Sequence, residues 1–115
     1  MEKLTEQRPW GFYETILENE LCKVKKICIS PGQAPSYQYH FNRDEVWVVV
    51  SGEGDLRLDD KVSKISKGST IRVNRGQKHQ VRNCGNSDLV FVEVQLGDYF
   101  GEDDIVRLED DYGRS

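Results

Sequence analysis

Apolar and polar residues alternate with a period of two along most of the chain, in short runs that Gly, Pro, Asn, Asp and Ser interrupt. This period is typical of β-strands, whose successive side chains point to opposite faces. The pattern predicts nine strands, near residues 12–18, 21–30, 37–41, 45–51, 54–59, 61–66, 69–73, 79–83 and 89–96. Strands this short and regularly spaced favour an all-β sandwich or barrel. We expect one short helix, at 103–108, in the acidic C-terminal segment.

The same alternation assigns side chains to faces. Glu45, Trp47 and Val49 share one face of the strand at 45–51, while the valines between and after them share the other. A strand that is apolar on both sides is covered on both sides. We therefore expect a second sheet over one face and a second copy of the chain over the other, in a homodimer.

Composition narrows the function classes. The 115 residues are 37% hydrophobic and 31% charged and show no repeat or linker, which predicts a single domain, 1–115. A net charge of -4 lacks the basic excess that nucleic-acid binding requires. No apolar run is long enough for a membrane span or a signal peptide, and the three cysteines form no CxxC pair, so we expect a cytoplasmic protein with reduced thiols.

Both histidines of the chain lie in stretches that carry other metal-binding side chains. Gln38, His40 and Asn42 share a strand face, and Glu45 begins the next predicted strand. His79 begins another. If the fold brings these stretches together, two imidazoles and a carboxylate form a ligand set for Zn, Mn, Fe, Co or Ni, with positions left for substrate oxygens. Asn42 is either a further oxygen ligand or a turn residue.

The two stretches resemble the two motifs of the cupin superfamily. The first resemblance rests on Gly32, His40, Asn42, Glu45 and Gly52, and the second on Gly68, Asn74, Gly76, His79 and Asn83. More narrowly, the chain resembles the type II mannose-6-phosphate isomerase domain, which is often found at the end of GDP-mannose pyrophosphorylases. That similarity runs in order through 8–13, 23–26, 31–33, 45–52, 93–95, 101–107 and 111–114, which spans nearly the whole chain.

The resemblance implies an all-β cupin-type double-stranded β-helix, or jelly-roll barrel, followed by a short acidic C-terminal segment. It also implies a divalent metal held by His40, Glu45 and His79, and the interconversion of mannose 6-phosphate and fructose 6-phosphate. Family members usually carry a second histidine where Asn42 stands, so the predicted metal site is reduced. A pocket without bound metal is the alternative.

Two charged residues are candidates for the proton transfer that isomerisation needs. Lys26 shares its face with Val24 and Cys28, so it either points into the barrel or reaches out of one end, whereas Lys23 and Lys25 would be solvated on the opposite face. The second candidate, a carboxylate, lies in the apolar strand at 89–96. It is Glu93, which shares a face with Phe91 and Gln95.

The substrate is expected to contact the neutral side chains of Gln38 and Gln95. Its phosphate requires cations, for which Arg107, Arg8 and Lys26 are the candidates. Arg107 is equally well explained by a structural ion pair in the acidic tail.

The sequence is also compatible with two other function classes. The first alternative is a cupin that binds a sugar or nucleotide sugar without catalysis. The second is a small metal-dependent oxygenase, which fits the ligand set but not the extended resemblance.

Overall fold

The computed structural model describes residues 4–114, which form eleven strands. In chain order these are β1 (Leu4–Arg8), β2 (Gly11–Glu18), β3 (Cys22–Ile29), β4 (Tyr37–Tyr39), β5 (Arg43–Ser51), β6 (Glu53–Leu58), β7 (Lys61–Ser66), β8 (Thr70–Val73), β9 (His79–Asn83), β10 (Leu89–Gly97) and β11 (Val106–Glu109). All nine predicted strands are present, as β2 to β10. Within the described range, no helix has the length and apolar character that crossing a bilayer requires.

The strands pair in two antiparallel sheets. The first sheet, sheet A, has the order β1-β2-β3-β10-β5-β8, and the second, sheet B, has the order β11-β4-β9-β6-β7. Apolar side chains from both sheets meet in one core, in which the rings of Trp47 and Phe91 stack with their centroids 4.8 Å apart. Burying this apolar surface is the main force that holds the sheets face to face.

The register of sheet A places a block of polar side chains on its inner face. Lys23 lies opposite Gln95, which lies opposite Glu45 on the next strand. In the adjacent row, Lys25 lies opposite Glu93. Paired residues share a face, so five polar side chains project into one end of the barrel while apolar side chains fill the other. Glu45, Trp47 and Val49, which the alternation groups on one face of β5, are therefore the side chains that face inward.

The predicted helix at 103–108 is wrong. Residues 106–109 form β11 instead, which pairs with β4 through Val106 and Tyr39 and through Arg107 and Gln38. Without β11, the backbone groups along this edge of β4 would have no strand partner, so pairing outweighs any local preference for a helix. Strand β1 was also not predicted, because its sequence does not alternate between apolar and polar residues. It is held in the sheet by backbone pairing with β2.

A close approach of two strands requires glycine at position 97. A Cβ atom there would collide with the backbone carbonyl oxygen of Asn42. This contact allows the N–H of Asp98 to donate to the same oxygen over 3.0 Å. The end of β10 is thereby held against the start of β5, where the residues of the candidate site begin.

Candidate active site

Three metal-ligating side chains meet at the polar end of the barrel. His40 follows β4, Glu45 lies on β5 and His79 begins β9, so the cluster joins the two sheets. All three residues are buried, and one potential ligand atom from each lies within 4.8 Å of the others. The fold therefore brings together the two imidazoles and the carboxylate that the sequence singled out.

Backbone carbonyl groups determine which ring nitrogen each histidine presents. His40 Nδ1 lies 2.5 Å from the carbonyl oxygen of Asp104, and His79 Nδ1 lies 3.0 Å from that of Gln77. Carbonyl oxygens only accept hydrogen bonds, so each Nδ1 carries the proton and donates it. Both Nε2 atoms are then unprotonated and can accept a hydrogen bond or bind a metal ion. This is the usual outer support of a metal-binding histidine.

Arg43 is a buried member of the site that the sequence analysis missed. Its Nε donates to Glu45 Oε2 over 2.9 Å, and its Nη2 donates to His40 Nε2 over 3.3 Å. Its Nη1 is buried and has no hydrogen-bond partner among residues 4–114. Because Arg43 lies two positions before Glu45, extending the alternation of β5 backwards would have placed it on the inner face. The predicted strand instead began at residue 45, so Arg43 fell outside it.

The electrostatics of the cluster keep Glu45 ionised and His40 neutral. Burial by itself raises the pKa of Glu45, but the neighbouring His79, His40 and Arg43 outweigh it and hold that pKa well below its ordinary value. Burial, together with the charge of Arg43, lowers the pKa of His40 to about 4 despite the opposing effect of Glu45. Glu45 also accepts a hydrogen bond from Trp47 Nε1 over 2.9 Å.

Glu93 lines the same cavity and is buried beside Glu45. Burial, and then the negative charge of Glu45, raise the pKa of Glu93 to about 8 against the effect of Lys25 and Arg43. Two carboxyl groups with such different pKa values often form the proton-transferring pair of an active site. Gln95 Nε2 donates to Glu93 Oε2 over 2.7 Å. Gln95 itself does not line the cavity, so its place is behind Glu93 and not against a substrate as predicted.

The structure reverses the predicted orientation of the lysines on β3. Lys23 and Lys25 are buried and face the barrel interior, where they lie 2.9 Å and 2.8 Å from the carboxylate of Glu102. Lys26 lies on the outer face and does not line the cavity, so its predicted catalytic role is wrong. The outer face of sheet A is also apolar, and the hydrophobic pattern of β3 therefore does not distinguish inside from outside.

Asn42 does not join the histidine cluster. Strand β4 ends at Tyr39, and the backbone then turns, so the Asn42 side chain is exposed and outside the cavity. This position contradicts its predicted role as a metal ligand. Its backbone N–H donates to the carboxylate of Asp104, as does that of Phe41, each over 3.0 Å. Asp104 thus holds the turn through its side chain and His40 through its carbonyl oxygen.

The remaining predicted site residues lie along the cavity wall. Gln38, Arg8 and Arg107 all line the cavity. On sheet B, Arg107 is opposite Gln38, which is opposite His79, so the three positions form one row across β11, β4 and β9. The row runs from the C-terminal segment to the metal-ligating cluster.

Comparison with known proteins shows the family and agrees with the fold. A family model described as the mannose-6-phosphate isomerase C-terminal domain matches residues 2–110. The chain belongs to this family.

Relatives of this mannose-6-phosphate isomerase C-terminal domain are longer proteins. It is 42% identical over 108 residues to the xanthan biosynthesis protein XanB of Xanthomonas campestris, covering 94% of this chain and 23% of XanB. It is 39% identical over 108 residues to a mannose-1-phosphate guanylyltransferase of Salmonella montevideo, with the same two coverages. The domain therefore spans less than a quarter of the length of these relatives.

A solved structure with the same fold is an uncharacterised protein with a double-stranded β-helix domain from Klebsiella pneumoniae. The TM-score is 0.75 at 23% identity, and the match covers 95% of this chain and 81% of that one. The all-β cupin fold predicted from the motifs is confirmed.

Proposed function

We propose that this domain binds a divalent metal ion and interconverts mannose 6-phosphate and fructose 6-phosphate. The observation that carries the proposal is the buried cluster of His40, Glu45 and His79, in which both imidazoles are locked with Nε2 as the acceptor. The proposed reaction comes from the description of the family, and the three side chains of the cluster are suitable ligands for the metal ion.

The donor set fits a divalent ion such as zinc, manganese, iron, cobalt or nickel. Two neutral imidazoles and one ionised carboxylate would hold it, and Asn42 is not required. His40 Nε2 at present accepts a hydrogen bond from Arg43 Nη2, which a bound metal would replace. When bound, the metal supplies Lewis-acid polarisation of a sugar carbonyl group.

The chain's own groups would move the proton between the two reacting carbons. Glu93 has a carboxyl group in the cavity, fixed in place by Gln95, and is placed to give and take that proton. Arg43 Nη1 has an unused hydrogen at the same end of the cavity, available to an oxygen on which negative charge develops. Trp47 and Phe91 line the wall beside these groups and exclude water from them.

The proposal is tested by loading the purified chain with each candidate metal, measuring metal content, and then assaying mannose 6-phosphate isomerisation. We expect close to one metal ion per chain, and turnover that disappears with a chelator and returns when metal is restored. A chain that carries one metal per molecule and still shows no turnover would overturn the isomerase assignment.

One feature favours a second candidate, a sugar- or nucleotide-sugar-binding domain without catalysis. Arg43 already neutralises Glu45 through a 2.9 Å ion pair, so the cluster is electrostatically complete without a metal. In that case the chain would bind mannose 6-phosphate equally well in the presence and absence of a chelator, and would not convert it.

We also propose that two copies of the chain pack through the outer face of sheet A. In-register valines form its centre, with Val94 opposite Val24 and Val46, and Val92 opposite Val48. Val48 is 41% exposed although β5 is paired on both sides, with β10 and β8. Two acidic and two basic residues surround these valines, namely Glu14, Asp44, Lys26 and Arg72. Because their charges cancel, two such faces can meet without net repulsion.

The dimer is tested by sedimentation with Val48→Glu. A buried, unpaired carboxylate at the centre of the interface should make this variant monomeric at concentrations where the wild type is a dimer. Val62→Glu is the matched control, because Val62 is 67% exposed on β7 of the other sheet and should leave the dimer intact. A wild-type chain that sediments as a monomer at micromolar concentration would contradict the proposal.

A further inference from the structure

The cavity carries positive charge on a chain that is negative overall. The chain has a formal charge of -4, yet five cationic side chains line the cavity against three carboxyl groups. The cationic residues are Arg8, Lys25, Arg43, Arg107 and Arg114, and the carboxyl groups belong to Glu45, Glu93 and Glu102. Positive charge concentrated in a cleft of an acidic protein attracts anions.

Part of this charge already has partners near the base of the cavity. Arg43 pairs with Glu45, and Lys25 pairs with Glu102. The other three cations, Arg8, Arg107 and Arg114, come from β1, β11 and the C-terminal residues, and all three line the same cavity. Nothing in local sequence brings them together, so their convergence is a property of the fold.

The arginine side chains are held in place by surrounding groups without being buried. Arg114 forms a fork with Asp110, with Nε and Nη2 at 2.9 Å and 3.0 Å from the two carboxylate oxygens. Arg8 donates to the Tyr13 hydroxyl oxygen over 3.3 Å and lies 3.0 Å from Glu6. The side chains of Arg8 and Arg114 are 32% and 24% exposed, as expected for the entrance of a cavity.

Arg107 lies within electrostatic reach of both Arg114 and Arg8. Burial, then the charge of Arg114 and also that of Arg8, lower the pKa of its guanidinium group, while Asp110 opposes them. Like charges within reach of one another raise the energy of the unliganded site. A bound dianion would relieve this repulsion, and guanidinium groups match the geometry of phosphate oxygens.

We propose that Arg8, Arg107 and Arg114 form a subsite for the phosphate group of a phosphomonoester at the cavity entrance. The substrate's direction follows from the row Arg107–Gln38–His79. Neighbouring strands are about 4.8 Å apart, so Arg107 lies two strands, or about 10 Å, from His79. The orientation of the substrate rests on the proposed function. It places the phosphate group at the arginines and the reacting carbons at the histidine cluster.

The subsite is tested with inorganic phosphate and the chain in chelator, so that no metal contributes. Binding is followed by phosphorus NMR line broadening at constant ionic strength for the wild type, Arg107→Gln and Arg114→Gln. We expect each variant to weaken phosphate binding about 10- to 100-fold, the loss typical of one charge-assisted contact. Arg72→Gln is the matched control, because Arg72 is an exposed arginine outside the cavity with Asp44 as its partner, and binding should be unchanged.

A second measurement uses mannose and mannose 6-phosphate. Both tryptophans, Trp10 and Trp47, line the cavity, so their fluorescence reports occupancy. The wild type should bind the phosphorylated sugar at least 100-fold more tightly, and Arg107→Gln should lose most of that preference while its affinity for mannose stays the same. Unchanged preference in Arg107→Gln and Arg114→Gln, or an equal loss in Arg72→Gln, would overturn the subsite.

These results are independent of the isomerase assignment. Arginine-dependent phosphate binding by a chain that does not isomerise mannose 6-phosphate supports the subsite and overturns the proposed function. Isomerisation with normal KM in Arg107→Gln and Arg114→Gln supports the function and overturns the subsite.

Discussion

Replacing Glu45 by alanine is expected to lower the free energy of unfolding by about 3–5 kcal/mol and to abolish metal binding. The Glu45 side chain is fully buried and accepts hydrogen bonds from Arg43 and Trp47. Its removal would leave the buried guanidinium group of Arg43 without its carboxylate. Removing one partner of a buried ion pair destabilises a protein more than replacing both partners. In thermal unfolding followed by circular dichroism, this corresponds to a fall in Tm on the order of 15 °C for a domain of this size.

The double variant Arg43→Met, Glu45→Gln separates the ion pair from other effects at this position. It removes both charges, while the glutamine oxygen still accepts from Trp47 Nε1, so most of the lost stability should return. Metal binding should not return, because the carboxylate is still absent. Glu53→Ala, an exposed position on β6, should change stability by less than about 0.5 kcal/mol. A Glu45→Ala variant as stable as the wild type would contradict the buried ion pair.

Under the proposed isomerase function, replacing Glu93 by glutamine is expected to lower kcat for mannose 6-phosphate by about 10²- to 10⁴-fold. Glutamine has the same shape and can still accept the hydrogen bond from Gln95 Nε2, but it does not carry a transferable proton. Metal content and KM should stay close to the wild-type values, because Glu93 is not one of the three proposed ligands. The measurement is steady-state kinetics on metal-loaded protein, with metal content determined in the same samples.

Lys26→Gln is the control for this experiment. The sequence analysis placed Lys26 and Glu93 together as catalytic candidates, whereas the structure places only Glu93 in the cavity. Lys26→Gln should therefore keep full activity. Loss of activity in Lys26→Gln with normal activity in Glu93→Gln would contradict the site described above.

Period-two alternation was sufficient to predict β2 to β10 and to group Glu45, Trp47 and Val49 on one face of β5. The positions of His40, Glu45 and His79 were sufficient to predict the ligand set, on the condition that the fold joins the two stretches, and the structure meets that condition. These predictions succeeded because each depends on local side-chain direction along a strand, or on motif positions that resemble those of a family.

The two faces of β3 and the contribution of the C-terminal segment required the tertiary structure. Both faces of sheet A are apolar, so hydrophobicity did not show that Lys25 points inward and Lys26 outward. Asp104 and Arg107 acquire their places only because β11 pairs with β4. Such contacts join residues more than sixty positions apart, and local pattern carries no information about them.

By itself, then, the sequence predicted an all-β fold and singled out His40, Glu45 and His79 as a ligand set. Only the tertiary structure decided that these side chains meet, that Arg43 joins them, that Asn42 lies outside the cluster, and that three further arginines line the cavity. The physical reason is that alternation governs how side chains point along one strand, whereas the neighbours of a side chain across the barrel depend on strand pairing and on the path of the chain between strands.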